Sequence, residues 1–107
     1  MLLPMDVPEE GRRILTGKMV KAIQLAVEDF LPWDWVPPPE SSLKDRCLAK
    51  RESYLVMAAP KGAHVMFVSI ALDPEACSTP GAPPILDMGK LYAIDTDGWR
   101  ILATSPP

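Results

Sequence analysis

The stretch from Glu52 to Leu72, ESYLVMAAPKGAHVMFVSIAL, constrains the fold more than any other part of the chain. Pro60 suits the second position of a type I turn and Gly62 the left-handed residue that follows, which predicts two strands joined by the loop Pro60-Lys61-Gly62. In that register Ala59 pairs with Ala63, Met57 with Val65, Leu55 with Phe67 and Ser53 with Ser69. On the opposite face Ala58 meets His64, Val56 meets Met66 and Tyr54 meets Val68. Both faces are apolar. A hairpin with one wet face alternates apolar and polar side chains, so this pattern demands cover on each side.

A chain of 107 residues has room for one core, so the cover is expected from within a single domain spanning residues 1–107 or from a partner. Asp6-Val-Pro-Glu9 has the form of a capping box, with Pro8 in the first turn and Glu10 placed well against the helix dipole. A helix from Pro8 to Leu31 is predicted. Leu15, Met19, Ala22, Ile23, Ala26 and Phe30 form one stripe, which Val20, Val27 and Leu31 widen; Ile14 and Leu25 fall among the charges. Gly11 and Gly17 weaken its first turns. Pro32 ends it, and Trp33-Asp-Trp-Val-Pro-Pro-Pro39 reads as an extended, polyproline-like connector. Ser42 then caps a short helix from Leu43 to Lys50, with Leu43, Cys47 and Leu48 inward.

The loop from Asp73 to Gly89, with Pro74, Pro80, Pro83 and Pro84, is long enough to be functional or mobile. A second hairpin follows around Asp97-Gly98, with Ile94 opposite Ile101 and Asp95 opposite Arg100. The expected fold is α+β: a long N-terminal helix on a four-stranded antiparallel sheet of two hairpins, in strand order 1-2-3-4 or 2-1-4-3. In element order this plan resembles the cystatin-like folds, a likeness that carries no function.

The net charge of −3 argues against a nucleic-acid partner, which clustered positive charge would serve. Two cysteines, Cys47 and Cys77, fit reduced thiols better than a disulfide framework. The segment MLLPMDVPEE lacks a basic start and its apolar run is broken, so no signal peptide is expected. The uncharged run from Gly62 to Leu72 is too short for a membrane-spanning helix. The expectation is a cytoplasmic protein without a membrane partner.

Motifs for catalysis or cofactors are sparse. His64 is the only histidine, and it lacks a G-x-S-x-G elbow to serve; paired with Cys47 or Cys77 it would make a cysteine–histidine site, against the plainer reading of a half-solvated residue beside a turn. Cys47, His64 and Cys77 lack the close spacing of a metal site. Asp95-x-Asp97-Gly98 begins like a calcium loop but runs into strand, and the glycines form no phosphate-binding loop. No metal and no cofactor is expected. The basic run from Lys44 to Arg51 reads as a solvated helix surface, and Pro80-Gly-Ala-Pro83 as a loop. Trp33 and Trp35 serve either as a lid on the core or as a contact surface.

These features favour a non-catalytic protein–protein interaction module (a subunit, adaptor or inhibitor-like protein) that self-associates through an apolar sheet face. Trp33, Trp35, Tyr54, Val56, Met66, Val68 and Ile70 are the expected partner-binding residues. On this reading Val68→Asp gives a folded monomer; unfolding instead would mark that face as internal core. The alternative is a binder of small apolar ligands with a pocket between helix and sheet, and an enzyme using His64 ranks third.

Overall fold

In the computed structural model, which describes residues 1–78, 80–81 and 89–107, two helices precede four strands. Helix α1 spans Gly17–Phe30, α2 Leu43–Leu48, β1 Tyr54–Lys61, β2 Val65–Leu72, β3 Gly89–Asp95 and β4 Arg100–Ser105. A single 3₁₀ turn, Arg51–Ser53, leads into β1. The architecture is α+β, with one antiparallel sheet in the order β1-β2-β3-β4.

The expected long helix is corrected to 14 residues. Thr16, not Asp6, is its N-cap, and the Thr16 hydroxyl accepts from the Met19 amide at 3.2 Å. Asp6 instead accepts from its neighbour Val7. Gly11 takes φ +75°, outside the right-handed helical region, and residues 1–15 are all exposed. With no sheet beneath them, nothing offsets the cost of nucleating further turns.

The second hairpin pairs as its sequence predicts, Ile94 with Ile101 and Asp95 with Arg100. Its turn is wider than Asp97-Gly98 alone, and Trp99 takes the left-handed conformation at φ 54°. Asp95 Oδ1 accepts from the amides of Asp97 and Gly98, which holds its carboxyl below the ordinary range; Arg100 adds to this. A register shift follows, so that Ala93 faces Ala103.

The first hairpin forms in a different register. Lys61 pairs with Val65 around Gly62-Ala63-His64, Val56 pairs with Ile70, and Tyr54 with Leu72. Pro60 lies inside β1, where an edge strand tolerates its missing N–H, and Gly62 supplies the left-handed residue at φ +64°. The offset from the expected pairing is an even number of residues, so every side chain keeps its expected face.

Helix α1 lies across all four strands. Ala22 and Ala26 bring its backbone close to the sheet and pack with Met66, Val68, Ile70, Tyr92 and Ile94 in the buried core. Each fully buried large side chain there contributes about 1.5–3 kcal/mol. Leu25, expected among the charges, instead joins the rim of this core with Met19, Ile23, Val27 and Phe30.

Arg51 fixes the turn after α1. Its Nε and Nη2 donate to the Leu31 carbonyl at 3.2 and 2.9 Å, and Nη2 donates to Glu28 at 2.7 Å. A guanidinium at the carbonyl end of a helix satisfies groups the helix leaves unpaired and opposes its dipole. On α2, the Ser42 hydroxyl accepts from Asp45 as expected, but Leu43 points outward and is exposed. The expectation of free thiols is corrected: Cys47 and Cys77 form a disulfide, with Cα atoms 5.8 Å apart. The Asp73 amide donates to the Ser53 carbonyl, which brings the turn after β2 down beside α2.

Candidate interaction surface

With α1 on one face of the sheet, the other face carries the odd-numbered residues of β1, β2 and β3. The register sets these in rows: Ala59, Phe67, Ala93 and Ala103; then Met57, Ser69, Leu91 and Ser105; then Leu55, Ala71 and Gly89. Leu55, Met57 and Leu91 are 53%, 65% and 45% exposed, and Phe67 between them is half-buried. Lys61 Nζ stands 5.5 Å from the centre of the Phe67 ring. Small residues fill the gaps between the large ones, so the face is low in relief. Ser69, Ala71, Gly89, Leu91, Ser105 and Pro106 surround an open depression of about 480 Å³.

Three residues expected to meet a partner lie on the face that α1 covers. Met66, Val68 and Ile70 are 4%, 0% and 2% exposed, so they are core and the contact expected of them is corrected. Tyr54 shares their face and is half-buried; its hydroxyl donates to the Leu48 carbonyl at 2.6 Å, and its ring meets Phe30 edge-on. Burial pushes the Tyr54 hydroxyl pKa up. Val56 is 38% exposed on the edge strand. Trp33 is largely exposed, with Arg51 stacked 4.7 Å from its ring centre. Trp35 lines a cleft with Phe30, Leu31, Pro37, Pro38 and Leu48. The fold thus gathers the five strand residues on one face and sets both tryptophans near the C-terminal end of α1.

Leu55, Met57, Phe67 and Leu91 are not among the partner-binding residues expected from the sequence. The distinguishing signal lies in their neighbours: Ser69, Ala71, Ala93 and Asp95 share the odd-numbered face, whereas the even-numbered face of β2 and β3 carries Met66, Val68, Ile70, Tyr92 and Ile94, with Lys90 at its end opposite Ile70. The helix buries the set that yields more apolar area.

The groups available for chemistry are otherwise engaged. His64 Nδ1 lies 2.6 Å from Asp97 Oδ2, joining the two hairpin tips, with both side chains mostly exposed. Cys47 and Cys77 are bonded to each other at the other end of the sheet, so neither supplies a thiolate nucleophile or ligand to this pair. Arg46 donates to the carbonyls of Ser41 and Pro39, and Arg51 to that of Leu31, which ties both arginines of the basic run to backbone. No helix among the described residues is long and apolar enough to cross a membrane. The expectations for Pro80-Gly-Ala-Pro83 and the 73–89 loop fall in part on residues 79 and 82–88, outside the described residues.

No protein-family model, no curated protein and no solved structure matches the chain.

Proposed function

We propose that this chain is a small non-catalytic protein–protein interaction module, a subunit, adaptor or inhibitor-like protein, that self-associates through the open face of its sheet. One observation carries the reading: Leu55, Met57 and Leu91 remain exposed around Phe67 on a low-relief sheet. A contiguous apolar surface of more than a few hundred Å² is unusual on a monomer and marks a contact site. Two copies related by a twofold axis would cover this face on both at once. The cystatin-like order of a helix before a four-stranded meander is a likeness of plan and supports no activity.

The net charge of −3 and the engaged arginines favour a protein partner over a nucleic acid. The expectation of a cytoplasmic protein drew in part on reduced thiols; on that point the Cys47–Cys77 bond instead favours an oxidising compartment. A ligand pocket between helix and sheet has little support, because Ala22, Ala26, Val68, Tyr92 and Ile94 meet there at 0% exposure.

Sedimentation velocity of the full chain, beside its Leu91→Asp variant, tests the proposal. A dimer that Leu91→Asp converts to a folded monomer supports it. A wild-type chain that stays monomeric at high concentration removes it.

A further inference from the structure

Residues 1–15 are exposed throughout, with Met1, Leu2, Leu3 and Met5 each more than four-fifths accessible. Among the described residues their hydrogen bonds are to one another, as in Arg12 to the Val7 carbonyl. This arm is apolar in a patterned way. Leu3, Met5 and Val7 alternate with Pro4, Asp6 and Pro8, which in an extended chain sets the three apolar side chains on one side. Pro4 and Pro8 lack amide hydrogens on the other edge, which discourages a further strand from joining there. The arm has an apolar side with nothing to bury it against, and the open face of the sheet has the converse defect.

We infer that residues 1–8 of a second copy lie across the open face of the sheet, in a reciprocal exchange of arms. The inference rests on the self-association proposed above and names what the partner contributes. Two low-relief faces pressed together would leave the depression at Ser69, Ala71, Gly89 and Ser105 unfilled. An extended arm carrying long, unbranched Met and flexible Leu side chains fits such a hollow. Charge agrees in one place: Asp6 is the one charged side chain of residues 1–8, and Lys61 stands on the open face above Phe67. Own-chain coverage is disfavoured, since α1 starts on the opposite face and the arm would have to turn around the sheet edge to reach it. A twofold exchange seats both arms and buries both faces in one closed assembly.

The test uses the full-length chain. Leu3→Ser, Met5→Ser and Val7→Ser together change only exposed positions, and circular dichroism confirms that the variant keeps its fold. The triple variant is expected to weaken the dimer at least about tenfold, as read by sedimentation equilibrium. In parallel, a photo-crosslinking phenylalanine at position 5, in a mixture of heavy- and light-isotope protein, is expected to attach across copies to peptides holding Phe67 or Leu91. A dimer unaffected by the triple substitution overturns the arm exchange and leaves self-association standing. Crosslinks confined to one copy also overturn it. A wild-type chain that is monomeric removes the self-association and the exchange together.

Discussion

The hydroxyl of Tyr92 donates to Oδ2 of Asp29 at 2.8 Å, tying the buried third strand to the outer side of the helix. Burial, then the Asp29 hydrogen bond and negative charge, push the tyrosine pKa well above its ordinary value of 10.0. The fold therefore favours the neutral hydroxyl. Its contribution is complete below the ordinary tyrosine range and is lost as pH rises through and beyond it. Urea unfolding followed from neutral to strongly alkaline pH should show stability falling in that window. Tyr92→Phe should flatten the alkaline decline and cost about 1 kcal/mol at neutral pH, because the acceptor is solvent-exposed.

Val68 and Met57 sit on opposite faces of one hairpin, at 0% and 65% exposure, and should respond oppositely to the same change. Val68→Asp puts an unpaired carboxylate beneath the helix at a cost of about 4 kcal/mol or more, and circular dichroism should show an unfolded chain. Met57→Asp should keep the fold within about 0.5 kcal/mol and act on assembly alone.

A methyl group added at Gly89 would lie 2.5 Å from the Ile70 carbonyl oxygen, on the strand opposite. That obstacle is backbone and cannot rotate away. Gly89→Ala should therefore destabilise the chain by about 2 kcal/mol, read as a lower urea midpoint, although alanine is otherwise the milder residue within a strand.

The disulfide links α2 to the turn after β2 across a separation of 30 residues. Replacing both cysteines by serine should lower the unfolding free energy by about 3 kcal/mol, mainly by freeing the unfolded chain. Differential scanning calorimetry of the double variant, beside the oxidised wild type, measures the loss.

The parts of this fold readable in advance are those fixed by local chemistry. Asp97-Gly98 placed the second hairpin, and Ile94 opposite Ile101 fixed its pairing. Ser42 marked the start of α2 through its own hydroxyl. The first hairpin offered two competing turn signals. Pro60 suggested a turn, but an edge strand accommodates it, and Gly62 with its following residues closes the loop. Which apolar face lies inside is a tertiary choice, visible only in the small difference made by Ser69 and Asp95. The capping-box pattern at Asp6 described a helix start that never acquired a sheet to lie on. The pairing of Cys47 with Cys77 depends on the turn after β2 folding back, which their spacing does not encode.

The strand order β1-β2-β3-β4 has a kinetic consequence. Each strand pairs only with the one before or after it, so the sheet grows without any strand inserting between two already joined. Two of its three closures are tight hairpins, and only the return from Leu72 to Gly89 spans a long stretch of chain. Loop-closure entropy grows slowly with length, and chains rich in near-neighbour contacts fold quickly for their size. The joining of β2 to β3 is then the step at which the two hairpins, each marginal alone, become one sheet on which α1 can settle.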